Sequence, residues 1–213
     1  MVSYDRRATP GAQSPIDHVS VDNFRAGEMA ANHLIAQGHR RIAFATAVGK
    51  TMSRGEKIKG FFHAAALAGL TGQARVIEGT TDSEYGDSEM PDVGRKLAIR
   101  MAAEPQRPTG IVAVNDLLAF GLLTGFREAG LSVPADVSVV GMDGLFLSPF
   151  FNPGLSTVRL PVPEMARTIV QRVIGRLADP GIEPAEFLFE PDLVQRESVA
   201  TPKAFSSSTS TSQ

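Results

Sequence analysis

No cysteine occurs in the 213 residues. That excludes disulfides and thiolate metal sites, and it agrees with a cytoplasmic location. An excess of basic charge is also lacking. Lys and Arg number 21 against 23 Asp and Glu, a formal net charge of −2. A chain without a basic field is not expected to hold nucleic acid by itself. No apolar run approaches a membrane span. The segment MVSYDRRATPGAQSP has no apolar core of the kind a signal peptide needs, which counts against an exported protein. The four histidines are scattered. No His, Cys or carboxylate spacing fits a metal site, and no G-x-S-x-G, phosphate loop or G-x-G-x-x-G occurs. No metal, no cofactor and no enzymatic activity are therefore expected. What is present is ordinary for a globular protein. Hydrophobic residues make up 43%, enough at this length for a sizeable core in one domain or two small ones.

The clearest pattern is IVAVNDLLAFGLLTGFREAGLSVPADVSVVGMDG, residues 111–144. A short apolar run enters Asn115-Asp116, a helical segment continues to Ala129, and Gly130 stops it. Pro134-Ala135-Asp136 then leads into a β-branched run that ends at Gly141-Met142-Asp143. Strand, helix and strand in this order make a βαβ unit, and such units build parallel sheets. Asn115, Asp116 and Asp143 fall at carboxyl ends of strands, where the ligand crevice of such sheets lies.

The rest of the chain repeats the alternation. Extended segments are expected near 2–5, 16–21, 42–46, 76–77, 187–189 and 193–194. Helices are expected over 24–37, 56–68, 92–103 and 163–177. Residues 80–91 read as a polar, mobile loop, and 206–213, all Ser, Thr and Gln, as disordered tail. The fold class is α/β, a doubly wound parallel sheet.

The same segment, with its AxND-type strand end, EAGLSVPADVSVVG run and Gly-x-Asp turn, resembles the lactose-repressor/galactose-repressor (LacI/GalR) family of transcriptional regulators. Asp22-Asn23, GHRRIAF, EKIKGF and LSTVRLP follow the family's order and spacing over roughly residues 1–200. The resemblance implies a periplasmic-binding-protein-like type I core. Residues 22–158 would be its complete C-terminal subdomain, and 1–21 a remnant of the N-terminal subdomain with the crossover. Residues 159–185 would return a helix to that subdomain, 186–200 would be terminal strands, and 201–213 a tail. No counterpart of the family's helix-turn-helix headpiece, hinge helix or most of the first subdomain is recognised, so the sequence reads as a fragment or a short gene model. The implied function is effector sensing, probed by a sugar or similar small polar ligand, in a dimeric regulator that meets operator DNA through the headpiece. The alternative is the sugar-binding protein of a transport system.

The candidate ligand residues are Asn115, Asp143, Lys57, Arg54 and Asp5. A carboxylate at 143 can accept two hydroxyl hydrogen bonds; the competing reading is an Asp turn or a helix N-cap. Asn115 offers donor and acceptor to a hydroxyl or a purine edge, with Asp116 the expected cap of the following helix. By the resemblance, Lys57 stands where the family has Arg, a compact charge in place of a bidentate one. A solvated lysine is the competing reading, and Arg54 could supply the guanidinium instead. Asp5 matches a ligand-facing position of the family and otherwise is a loop carboxylate. Gly144 replaces a second Asp of the family. Tyr85 reads as an exposed loop residue, and His39-Arg40-Arg41 as a solvated turn. Leu117, Leu118, Phe120, Leu122, Leu123 and Phe126, with Phe146, Leu147, Phe150 and Phe151, are more apolar than one core stripe needs. They are placed at a two-fold homodimer surface or, alternatively, in the core. The Met165, Ile169 and Val173 face of the 163–177 helix is expected to be exposed.

Overall fold

Short runs of β-branched and small apolar residues form the strands of this chain, and three of its helices start at a side-chain cap. The computed structural model describes residues 1–4, 15–49, 51–80 and 87–203. The strands are β1 (Val2–Tyr4), β2 (Asp17–Val21), β3 (Ile42–Ala47), β4 (Ala74–Gly79), β5 (Gly110–Ala113), β6 (Ser138–Asp143), β7 (Ser156–Arg159), β8 (Glu186–Phe189) and β9 (Asp192–Val194). The helices are α1 (Asn23–Ala36), α2 (Met52–Leu67), α3 (Met90–Ala102), α4 (Asp116–Glu128) and α5 (Val162–Ala178).

Among the described residues the strands form a six-stranded sheet, order β4-β3-β5-β6-β7-β9, and a three-stranded sheet, order β1-β2-β8. All neighbours are parallel except β7 and β9. β3, β5 and most of β6 are buried residue after residue, as strands covered on both faces must be. From β3 the chain steps outward to β4, then returns past β3 to β5 and β6. The direction of winding therefore reverses between β3 and β5, the switch point where such sheets open a crevice.

Two helix pairs clothe this sheet, α1 on α2 and α3 on α4. Both crossings depend on glycine. A Cβ at Gly27 would sit 1.9 Å from the Lys57 carbonyl oxygen, and one at Gly121 would sit 1.9 Å from that of Pro91. The backbones touch there, and no larger residue fits. α1 starts at the Asp22 cap, whose side chain accepts from the Arg25 amide, and α2 starts at the Thr51 cap, which accepts from that of Arg54. The Thr51 cap places the start of α2 a turn earlier than the apolar spacing alone predicts.

The small sheet carries α5. Met165 is buried between this helix and Val19 and Val21, and Ile169 packs against the same cluster. Asp17, wholly buried at the start of β2, accepts from Arg172 (2.7 Å), Arg176 (2.6 Å) and the Ala185 amide (2.9 Å). The Arg176 guanidinium leads in holding this carboxyl well below the usual carboxylate range. The expected exposure of Met165 and Ile169 is thus corrected. They are packed on the sheet, and the exposed apolar residues of α5 are Val162, Val170, Val173, Ile174 and Leu177.

A second correction concerns α4. Leu118, Phe120, Leu122, Leu123 and Phe126 are all buried, and Leu117 packs against the same core. The helix packs against both α3 and the sheet, so it needs apolar residues on more than one side. Phe151 stacks on Phe120 at 3.9 Å between centroids. Only Phe146, Leu147 and Phe150 of the second cluster remain exposed. His39 is likewise not part of a solvated turn. It is buried, with Nδ1 2.9 Å from the Thr109 hydroxyl and Nε2 3.0 Å from the Ala200 carbonyl.

Candidate functional site

The carboxyl ends of β3, β5 and β6 bring three of the expected residues together. Lys57 reaches the site from the second turn of α2, held in place by the tight contact of its own carbonyl with Gly27. It is not a solvated lysine. Its side chain is 10% exposed, and Nζ donates to the Val114 carbonyl at 3.2 Å and lies 3.9 Å from Asp143 Oδ1. A buried ammonium is costly unless a carboxylate and hydrogen bonds offset it. Nζ has three donors, so at least one remains to meet a ligand oxygen.

Asp143 ends β6 with φ 113°, the left-handed side of the backbone map, and Gly144 follows with φ 72°. A non-glycine residue there costs of the order of 1–3 kcal/mol and persists only where its surroundings over-determine it. Such strain clusters at ligand sites. The Asp143 side chain is 31% exposed, open enough to meet a ligand yet close enough to Lys57 to share its charge. At Gly144 a Cβ would lie 2.6 Å from Arg159 Cγ and 2.9 Å from its Cα, so a larger residue there would need β7 to shift.

Asn115, not Asp116, takes the capping role that the sequence assigned to Asp116. Asn115 caps α4, its Oδ1 accepting from the Leu118 amide at 2.9 Å. Its amide nitrogen, with two donors, has no partner among the described residues. Asp116 is wholly buried. Its Oδ2 accepts from the Leu145 amide (2.8 Å) and the Ser148 hydroxyl (2.7 Å), and its Oδ1 from the Thr157 hydroxyl (2.6 Å). Burial pushes this carboxyl above the ordinary range, and the hydrogen bonds pull it back. Sequence reading missed Thr157 and Ser148 altogether. LSTVRLP marks a strand but gives no sign that its threonine faces a buried carboxylate.

Arg54 stands at the end of β3. Its Nη1 donates to the carbonyls of Ala47 (2.9 Å) and Gly49 (2.7 Å), strapping the loop between β3 and α2. Asp5 and Tyr85 lie outside the described residues, as does the 206–213 tail. A separate groove of about 650 Å³ opens at the opposite ends of the strands, lined by Arg41, Gln73, Arg75, Glu104, Pro105 and Gln106 among others. It shares no residue with the strand-end cluster. Among the described residues no group of His and carboxylate side chains is arranged to hold a metal ion. No helix among them is long and apolar enough to cross a membrane.

Residues 31–199 match the family described as periplasmic binding protein-like domain. The chain is 32% identical over 191 residues to the HTH-type transcriptional repressor PurR of Photobacterium profundum, covering 89% of this chain and 55% of the relative. It is 38% identical over 182 residues to an uncharacterized HTH-type transcriptional regulator in the aml 5' region of Streptomyces limosus, covering 85% and 50%. The chain thus spans about half the length of these curated relatives. Among solved structures, a LacI family transcriptional regulator from Enterococcus faecium with bound ribose superposes with TM-score 0.83 at 27% identity, over 95% of this chain and 71% of that one. A second, from Enterococcus faecalis and also with bound ribose, gives 0.81 at 26% identity, over 95% and 69%. The family match and the superpositions agree: the chain belongs to the periplasmic-binding-protein-like family, in the form of the effector-binding domain of LacI-type regulators.

Proposed function

We propose that this chain senses a sugar or similar small polyol for a DNA-binding transcriptional regulator, in the cytoplasm and without catalysis. The observation that carries the reading is the Lys57–Asp143 pair at the carboxyl ends of the strands, where Lys57 also bonds the carbonyl of Val114, the residue before Asn115. A carboxylate accepts two vicinal hydroxyls, and the ammonium and amide donate to ring or hydroxyl oxygens. That is a donor and acceptor set for a neutral polyol. Asp143 and Lys57 are the primary contacts. Asn115 contributes its amide nitrogen, while Arg54 acts from the rim as far as its carbonyl bonds allow. Asp5 is the remaining candidate, and its part in the set rests on the family resemblance alone. Operator binding belongs to a helix-turn-helix headpiece of the kind the relatives' names record, and the effector acts on it by shifting a population between states of different affinity. Supporting this over a transport protein is the company of HTH-type regulators among the relatives.

Calorimetry with D-ribose and a panel of other pentoses and hexoses tests the reading. Asp143→Ala is expected to cost about 1.5–3 kcal/mol of binding free energy, the scale of hydrogen bonds to a charged group. Absence of binding by every sugar in the panel rejects the sugar reading, and unchanged affinity in the variant rejects Asp143.

The homodimer surface is assigned to the loop after β6. Phe146 and Phe150 are each 79% exposed there, on either side of Leu147. Exposed aromatic residues in one short loop are the kind of patch that marks an interface.

A further inference from the structure

Asp116 is a buried carboxylate whose hydrogen bonds all leave its own helix. Leu145, Ser148 and Thr157 donate to it from 29, 32 and 41 residues further along the chain. Thr157 Oγ1 in turn accepts from the Gly144 amide at 3.2 Å. The two residues that follow Asp143 are therefore both held, Leu145 directly and Gly144 through Thr157. These are the bonds that close around the left-handed turn at Asp143 and Gly144. A carboxylate suits the place because it has acceptors only. An amide in its stead would turn N–H groups toward donors, and the Leu145 amide cannot reverse its role. Space is kept for the carboxylate by Gly141, where a Cβ would lie 2.1 Å from Asp116 Oδ1.

We propose that Asp116 is a positioning residue for the ligand carboxylate: through Leu145, Ser148 and Thr157 it holds the turn that sets Asp143 beside Lys57. The proposal rests on the reading of Asp143 as a ligand contact. Asp116 itself touches no ligand. It joins the start of α4, the end of β6, β7 and the loop after β6 into one bracket, and the ligand residue is the strained link that the bracket closes.

The test uses Asp116→Ala, Thr157→Val and Thr157→Ser in the full chain, each checked for folding by circular dichroism. The first readout is the Kd for D-ribose, or for the panel sugar that binds the wild type. The second, without ligand, is the carboxyl carbon resonance of Asp143 followed through its titration by NMR, which responds to the charge of the Lys57 ammonium beside it. Asp116→Ala and Thr157→Val are expected to weaken binding by at least about tenfold and to move the Asp143 resonance, whereas Thr157→Ser, which keeps the hydroxyl, stays within about twofold of wild type. Wild-type affinity in a folded Asp116→Ala variant overturns the proposal. If that variant does not fold, Thr157→Val, equal in volume and lacking only the hydroxyl, decides on the same criterion. If no sugar binds the wild type, the sugar reading fails, and the Asp143 resonance alone decides the positioning role: unmoved, it overturns the proposal; moved, it upholds it.

Discussion

His39 is a buried histidine that makes this fold sensitive to acid. Its ring is buried, and Nε2–H faces the Ala200 carbonyl while Nδ1 accepts from the Thr109 hydroxyl, an arrangement that suits the neutral ring. Burial pushes its pKa down to about 4 from 6.5, with a further lowering from His33 and a partial opposing effect of the Ala200 carbonyl. Because the folded value lies below the unfolded one, the contribution is fully present above about pH 6.5 and is lost as pH falls toward 4. The loss is at most about 3 kcal/mol. Burial lowers His33 in the same direction. Asp17, held low by Arg176 and Arg172, adds a separate loss that begins as pH falls through the ordinary carboxylate range. Urea melts at pH 7 and pH 4.5 are expected to differ by that amount in the wild type and by less in His39→Gln. Equal slopes for the two proteins would refute the assignment.

At the scale of elements, the helix crossings control how the site is built. Gly27 lets α1 approach the turn of α2 that carries Lys57, and Gly121 lets α4 approach the first turn of α3. In the second crossing the obstacle is the backbone carbonyl of Pro91, which no side-chain rotation can remove. Gly121→Ala is expected to lower stability by about 2–4 kcal/mol, because overpacking against backbone forces the helices apart. Gly130→Ala, where nothing lies within 4 Å of an added Cβ but φ is 77°, is the control for backbone strain alone. Thermal melts of the two variants separate the causes, and a smaller loss at 121 than at 130 would contradict the crossing argument. Helix and strand positions were largely legible because periodicity and caps are local. The missed turn of α2 and the length of β4 were not, since the Thr51 cap and the pairing of β4 with β3 are decided by what lies beside them.

For the whole molecule, the same apolar composition serves two ends. On α4 it is core, because the helix packs against both α3 and the sheet. In the loop after β6 it is surface. Phe146→Glu with Phe150→Glu is expected to leave the fold intact and to shift the mass in light scattering from dimer to monomer, whereas Leu122→Glu is expected to unfold the chain. A wild type that stays monomeric at high concentration would reject the interface. A well-folded Leu122→Glu variant would reject the placement of α4.

The sequence by itself determined the α/β class, the order of elements and the carboxylate at the end of β6, because hydrophobic period, turn residues and strand-end position are all read along the chain. Lys57 was a candidate only through the family resemblance, with a solvated lysine as the competing reading. Only the tertiary structure decided that Lys57 is buried against Asp143 and Val114, that Asn115 rather than Asp116 caps α4, and that Asp116 faces Ser148 and Thr157. The physical reason is the range of the interactions. A cap or a period is satisfied within one turn, whereas a buried carboxylate must find its donors wherever the fold brings them, here from 29 to 41 residues away.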